Sequence, residues 1–139
     1  MSQVQAIRAI ALVLLTLLLI PLTLSAADKQ QKEPPTPINY YPIKPSLVAN
    51  LASGGRYIRC DIQLMTNDET LLEDLRRHDP AIRHTLLMLL SDQDGNKIKT
   101  PEGKEALRKE ALSQIRTLIK KESGKTSLKA LFFTTFLVQ

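Results

Sequence analysis

The chain has 139 residues, enough for one domain and an appendage, with 19 Lys and Arg against 14 Asp and Glu and a net charge of +5. Aromatic residues make up 4% and tryptophan is absent, which excludes the stacking platform that single-stranded nucleic acid needs. The single cysteine, Cys60, excludes an intrachain disulfide and a cysteine-based zinc site.

The first element is "MSQVQAIRAIALVLLTLLLIPLTLSAADKQ", which carries no charge from Ala9 to Ala27. Two readings fit it. As a transmembrane helix it has just the length that a bilayer core of about 30 Å requires. As a signal peptide it has a positive end at Arg8, an apolar core from Ala9 to Ile20, a break at Pro21, and small residues Ser25-Ala26-Ala27 for cleavage after Ala27. Both place the rest of the chain outside the cytoplasm. Only Arg8 precedes the run while Lys29 and Lys32 follow it, so the charge rule for orientation says little. A buried core helix is the weaker third reading, since a helix apolar all round needs a large domain around it. Residues 28–45 follow, with prolines at 34, 35, 37, 42 and 45. They read as an extended spacer; its first part, Asp28 to Asn39, would span roughly 35–40 Å. "PPTP" as a proline-recognition ligand lacks the basic flank such ligands often use.

The domain is expected over 46–139. "SLVANL" is a short apolar run closed by the turn signal "ASGG". "RYIRCDIQLM", Arg56 to Met65, alternates with period two. Ile58, Cys60, Ile62 and Leu64 take one face; Tyr57, Arg59, Asp61 and Gln63 take the other. The two runs read as a hairpin about Gly54-Gly55, with Cys60 a small core hydrophobe. A helix then opens at Asn67 or Asp68, with Leu71, Leu72 and Leu75 as its stripe. Asp79-Pro80 breaks the pattern and starts a second helix carrying Ile82, Leu86, Leu87, Leu89 and Leu90, which stops near Asp92. A turn leads to a last helix, capped by Thr100, lined by Leu107, Ala111, Ile115, Leu118 and Ile119, and ended by Gly124. "LKALFFTTFLVQ", Leu128 to Gln139, is apolar at odd and even positions alike. That pattern predicts a strand inside the sheet, its three phenylalanines buried and the domain closing upon it.

Three arrangements suggest chemistry and do not support it. "DQDGN", Asp92 to Asn96, resembles the start of a calcium loop, but the sixth position is Lys97 and the twelfth Gly103, where glycine and a bidentate glutamate are required. His78 and His84 stand six apart across Pro80, not the four of a helical ligand pair, and read as surface residues. Ser91, Asp92 and His84 lack a nucleophile elbow. No catalytic residue, metal ligand or cofactor site is assigned, and the chain is expected not to be an enzyme. From Lys97 to Lys125 nine Lys and Arg face four Glu, which holds the whole excess charge. The outward stripe Lys109, Arg116 and Lys120 is then either a solvated face or a contact for lipid head groups or an acidic partner.

Taken together, "LVANL", "RYIRCDIQL", "DPAIRHTLLMLLSD", "TPEGKEALRKE" and the terminal "LFFTTFLVQ" resemble the FliL family of flagellar basal-body-associated proteins, over about Tyr40 to Gln139. The sharpest parts are Pro80, Arg83, the leucine run to Ser91, then Thr100, Glu102, Gly103 and Lys104, and the strand ending at Gln139. The resemblance implies an inner-membrane protein with a stomatin-like periplasmic domain. It also implies a ring-like homo-oligomer around the flagellar stator proteins that supports rotation, torque, swimming and chemotaxis. Family members carry a longer basic tail before an uncleaved anchor; here only Arg8 precedes the run, a departure that points to a paralogue. The expected architecture is α+β: a small antiparallel sheet with helices on one side, preceded by an N-terminal apolar helix. The alternative is a generic periplasmic scaffold or lipid-binding protein unrelated to motility; no nucleic acid is expected as a partner.

Overall fold

The structure is a computed structural model and describes residues 36–139. The apolar run 1–27 and the spacer through Pro35 lie outside the described residues. Three strands form one antiparallel sheet in the order β1-β2-β3: β1 Asn39–Asn50, β2 Tyr57–Thr66 and β3 Leu128–Val138. Four helices connect β2 to β3: α1 Glu69–Arg77, α2 Asp79–Ser91, the single turn α3 Gly95–Ile98, and α4 Pro101–Ser123. The fold is α+β, with α2 over β1 and α4 over β3.

The core follows from the period of β2. Ile58, Cys60, Ile62 and Leu64 are each 0–1% exposed and meet the helices. Leu71 and Leu75 of α1, Ile82, Leu86 and Leu90 of α2, and Leu107, Ala111 and Ile115 of α4 close over them. The helix ends obey their local signals. The Asp68 carboxylate accepts from Thr70 N at 2.9 Å, the Thr100 hydroxyl accepts from Gly103 N at 3.0 Å, and Gly124 ends α4 with φ +72°. Burial pushes the Cys60 thiol up to about 12, the mark of an inert core cysteine.

Four expectations are corrected. First, β1 starts at Asn39, so Pro42 and Pro45 belong to a strand and not to the spacer read over 28–45. Proline is tolerated there because β1 is an edge strand. Between Ile43 and Leu47 the register shifts, and Lys44, Pro45 and Ser46 stand opposite the single residue Asp61. Second, the helix break falls at His78, which is half-buried; Asp79 is not a cap, and its carboxylate instead accepts from the Tyr41 hydroxyl at 3.1 Å. Third, the turn after Asp92 holds α3, capped by Asp94, whose carboxylate accepts from Asn96 N at 2.8 Å. This loop lies against the β1–β2 turn, where Gly54 takes φ +68° and Gly95 N donates to Ser53 O at 2.8 Å. Fourth, β3 is an edge strand, not an interior one. Leu128 and Leu131 are buried, but Phe133 and Phe136 are half-buried and Phe132 is exposed. Among the described residues helices cover one side of the sheet, and none packs on the other side of β3.

A polar cluster joins the start of α1 to the approach of β3. Lys125 Nζ lies 2.6 Å from Asp74 Oδ2 and donates to Thr70 O at 3.0 Å. Ser127 Oγ donates to Asp68 at 2.8 Å, and Thr66 Oγ1 donates to Ser127 O at 2.9 Å. Hydrogen bonds from Thr70 and Ser127 hold the Asp68 carboxyl below the usual carboxylate range, and the Lys125 ammonium does the same for Asp74. A carboxyl depressed in the fold adds stability that is complete above its unfolded value, about pH 4, and that is lost as pH falls through the folded value. Asp74→Asn is therefore expected to lower the melting temperature at neutral pH, with the gap to wild type closing in acid. Thermal melts from neutral pH to about pH 2.5 check this; a gap that widens in acid would contradict it. The correction to β3 gives a second expectation. Leu131→Ala should cost about 2–5 kcal/mol, as a buried leucine truncation does. Phe132→Ala should cost about 1 kcal/mol or less, as an exposed change does; urea unfolding of both separates them.

Candidate interaction surface

The residues singled out from sequence do not converge on one site. Pro80 occupies the first turn of α2. Arg83 Nη1 donates to Pro45 O at 2.7 Å and so ties α2 to the irregular part of β1. The Ser91 hydroxyl donates to Leu87 O at 2.9 Å, within its own helix. The Thr100 hydroxyl donates to Lys97 O at 2.8 Å besides capping α4. Gly103 is required by the same approach: a Cβ there would run into the Lys97 carbonyl. Glu102 is exposed in the first turn of α4, where the helix dipole favours a carboxylate. Lys104 Nζ sits 4.8 Å from the centroid of the Phe136 ring, which shields that half-buried aromatic. Gln139 accepts from the Tyr57 hydroxyl at 2.6 Å, and its backbone pairs with Tyr57. These are folding contacts spread over the domain.

The basic stripe on α4 divides. Lys109 and Lys120 are exposed, the first 3.9 Å from Glu105. Arg116 is different: its Nε donates to Leu128 O at 2.9 Å and its Nη2 to Lys129 O at 2.8 Å. About two turns earlier Arg108 Nη1 donates to Leu131 O at 3.2 Å, steered by a two-bond pairing with Glu105 at 2.7 Å. Arg108 holds the Glu105 carboxyl below its usual range. The two guanidinium groups thus occupy carbonyls of β3 over Leu128–Leu131. Beside them a shallow groove of about 300 Å³ is lined by Pro101, Lys104, Phe132 and Phe133. Arg116→Ala should lower stability by about 1–2 kcal/mol, since charge-assisted bonds to backbone are lost at a partly wet site. Lys109→Ala and Lys120→Ala should change it by no more than about 0.5 kcal/mol. Chemical unfolding of the three variants separates the structural arginine from the surface lysines.

The surface that sequence reading missed is the open side of the sheet. Tyr40 is 52% exposed, Val48 55%, Phe132 40% and Leu137 42%, well above any core residue. Pairing places Val48, Arg59 and Leu137 in one cross-strand row. Tyr40 and Phe132 meet with ring centroids 6.4 Å apart. Asp61 lies between these two apolar ends. Hydrogen bonds from Ser46 and Thr135 hold its carboxyl below the usual range, so it is ionised at neutral pH. The outward set of β2 was legible from its alternation; Tyr40 was not, because β1 begins inside a proline-rich stretch.

Both sheet edges are guarded. Pro42 and Pro45 lack the N–H that a neighbouring strand would need, and β1 loses register beside them. In β3, Lys129 and Thr134 are extra residues in the pairing with β2, and the arginines cover its first half. Such bulges and capped carbonyls discourage strand addition. Among the described residues there is no cluster of three or more His, Cys, Asp or Glu able to hold a metal ion, and no helix is long and apolar enough to cross a membrane.

Comparison with known families identifies the chain's relatives. The sequence pattern described as "Flagellar basal body-associated protein FliL" matches residues 40–139, nearly all of the described domain. The chain belongs to the FliL family. The flagellar protein FliL of Aquifex aeolicus (strain VF5) is 32% identical over 101 residues, covering 71% of this chain and 60% of that protein. The flagellar protein FliL of Escherichia coli (strain K12) is 29% identical over 116 residues, 83% of this chain and 74% of that protein. That of Shigella flexneri matches to the same extent. The alignment with the Aquifex protein thus leaves two fifths of that FliL unmatched. The family is one associated with the flagellar basal body.

Proposed function

We infer that this chain is a non-enzymatic part of the flagellar basal body that associates with the motor stator and supports rotation, torque and swimming. In this reading residues 1–27 deliver the chain to the inner membrane, as a retained anchor or a cleaved leader. The domain then lies in the periplasm as a relative of the stomatin-type fold. Copies assemble into a ring-like homo-oligomer around the stator proteins, with Lys109 and Lys120 as a cationic face toward an acidic partner or lipid head groups. The observation that carries the reading is the FliL match over residues 40–139. The exposed side chains of the sheet and of α4 are available for contact, as this reading requires.

The test is a deletion strain complemented with the wild-type gene or with Lys109→Glu/Lys120→Glu. Deletion is expected to reduce swimming, most of all in viscous medium where the motor works under load. The double variant is expected to fold as wild type does and to lose fluorescent foci at the flagellar base. Undiminished swimming of the deletion strain in viscous medium would overturn the motor role. Normal foci and swimming with the folded double variant would remove the lysine face from it.

A further inference from the structure

We propose that two copies of this chain pair through the open faces of their sheets, about a two-fold axis that sets Arg59 of each copy against Asp61 of the other. Three observations lead to it. The face is apolar at both ends, through Tyr40 with Phe132 and through Val48 with Leu137, and the described residues leave it uncovered. Its central strand presents one cation and one anion, two residues apart on the same side. The edges of the sheet are guarded by Pro42, Pro45, the extra residues Lys129 and Thr134, and the Arg108 and Arg116 caps, so association by strand addition is disfavoured.

The charge arrangement selects the occupant. An isologous contact requires a patch complementary to itself. An axis through the level of Cys60, running across the strands, reverses strand direction between copies and exchanges the rows of residues 59 and 61. Two opposite-charge pairs then form at the centre, each flanked in its own row by Val48 and Leu137 of the copy that supplies Arg59. An axis along the strands would set Arg59 against Arg59 and is rejected by repulsion. Three strands of about ten residues offer roughly 500 Å² per copy, below the usual 800 Å², which describes a weak pair that forms where copies are concentrated. A dyad closes on two copies and does not propagate around a ring. The pairing therefore goes beyond the function proposed above and can fail independently of it.

The experiment uses the full chain in cells, with Thr135→Cys on the open face and a short bis-maleimide. Cys60 is wholly buried with a raised pKa and stays silent. A crosslinked dimer is expected. Adding Arg59→Glu or Asp61→Lys alone should lower its yield at least about tenfold, equivalent to 1.4 kcal/mol per pair of copies. Co-expressing the two single variants, distinguished by tag size, should restore a mixed dimer, because each then meets the opposite charge twice. That rescue also demonstrates that both variants are folded. A dimer yield indifferent to these charges, or failure of the mixed pair to form, overturns the proposal. So does a thiol shielded from a monofunctional maleimide with no dimer formed, which assigns the face to another occupant. Basal-body foci scored in the same cells separate loss of this contact from loss of the motor role.

Discussion

The domain depends on the burial of one side of β2. Among the described residues it alone has a strand on each edge, and its inward residues Ile58, Cys60, Ile62 and Leu64 are sealed beneath helices. Everything else is arranged around that strip. β1 and β3 flank it, α2 and α4 roof the flanks, and α1 closes the end through Leu71 and Leu75. A single helical layer has only one sheet face to cover. The other face carries whatever the alternation of the strands places there, and here that includes large apolar side chains at both ends.

An open face and two strand edges would together be an aggregation hazard in a small domain. The chain separates the two risks. Prolines and lost register blunt one edge; bulges and guanidinium caps blunt the other. The face is left alone. Such a division directs association toward side chains, which discriminate between partners, and away from backbone, which does not.

Much of this fold was legible because the signals were local. The alternation of β2, the stripes of Leu71 and Leu75 and of Leu107, Ala111 and Ile115, and the caps at Thr100 and Gly124 each need only a few residues to be read. The misread parts depended on distant partners. Pro42 and Pro45 look like linker residues until β2 supplies the pairing that makes them a strand. The apolar run of β3 suggests an interior position, yet strand order is a property of the whole chain. Arg116 is exposed, as its place on the helical wheel implies, but it also makes contacts that the wheel leaves out. Its length lets it bend to carbonyls at 128 and 129, which no periodicity encodes. The signature residues carry the likeness to other chains, and their contacts in the structure lie in several different places.

The arginine caps have a consequence for the order in which the chain assembles. Partners in the β2–β3 ladder lie roughly 60–80 residues apart, so completing the sheet requires closing a long loop. Arg108 and Arg116 reach β3 from only 12 to 23 residues away. Helix α4 and β3 can therefore find each other first, as a short-range helix–strand unit. That unit presents a strand already guarded on its outer side, leaving only its inner side to add to the hairpin. Contacts that span little sequence thus hold β3 out of the way of unwanted neighbours while the slow, distant pairing is still to be made.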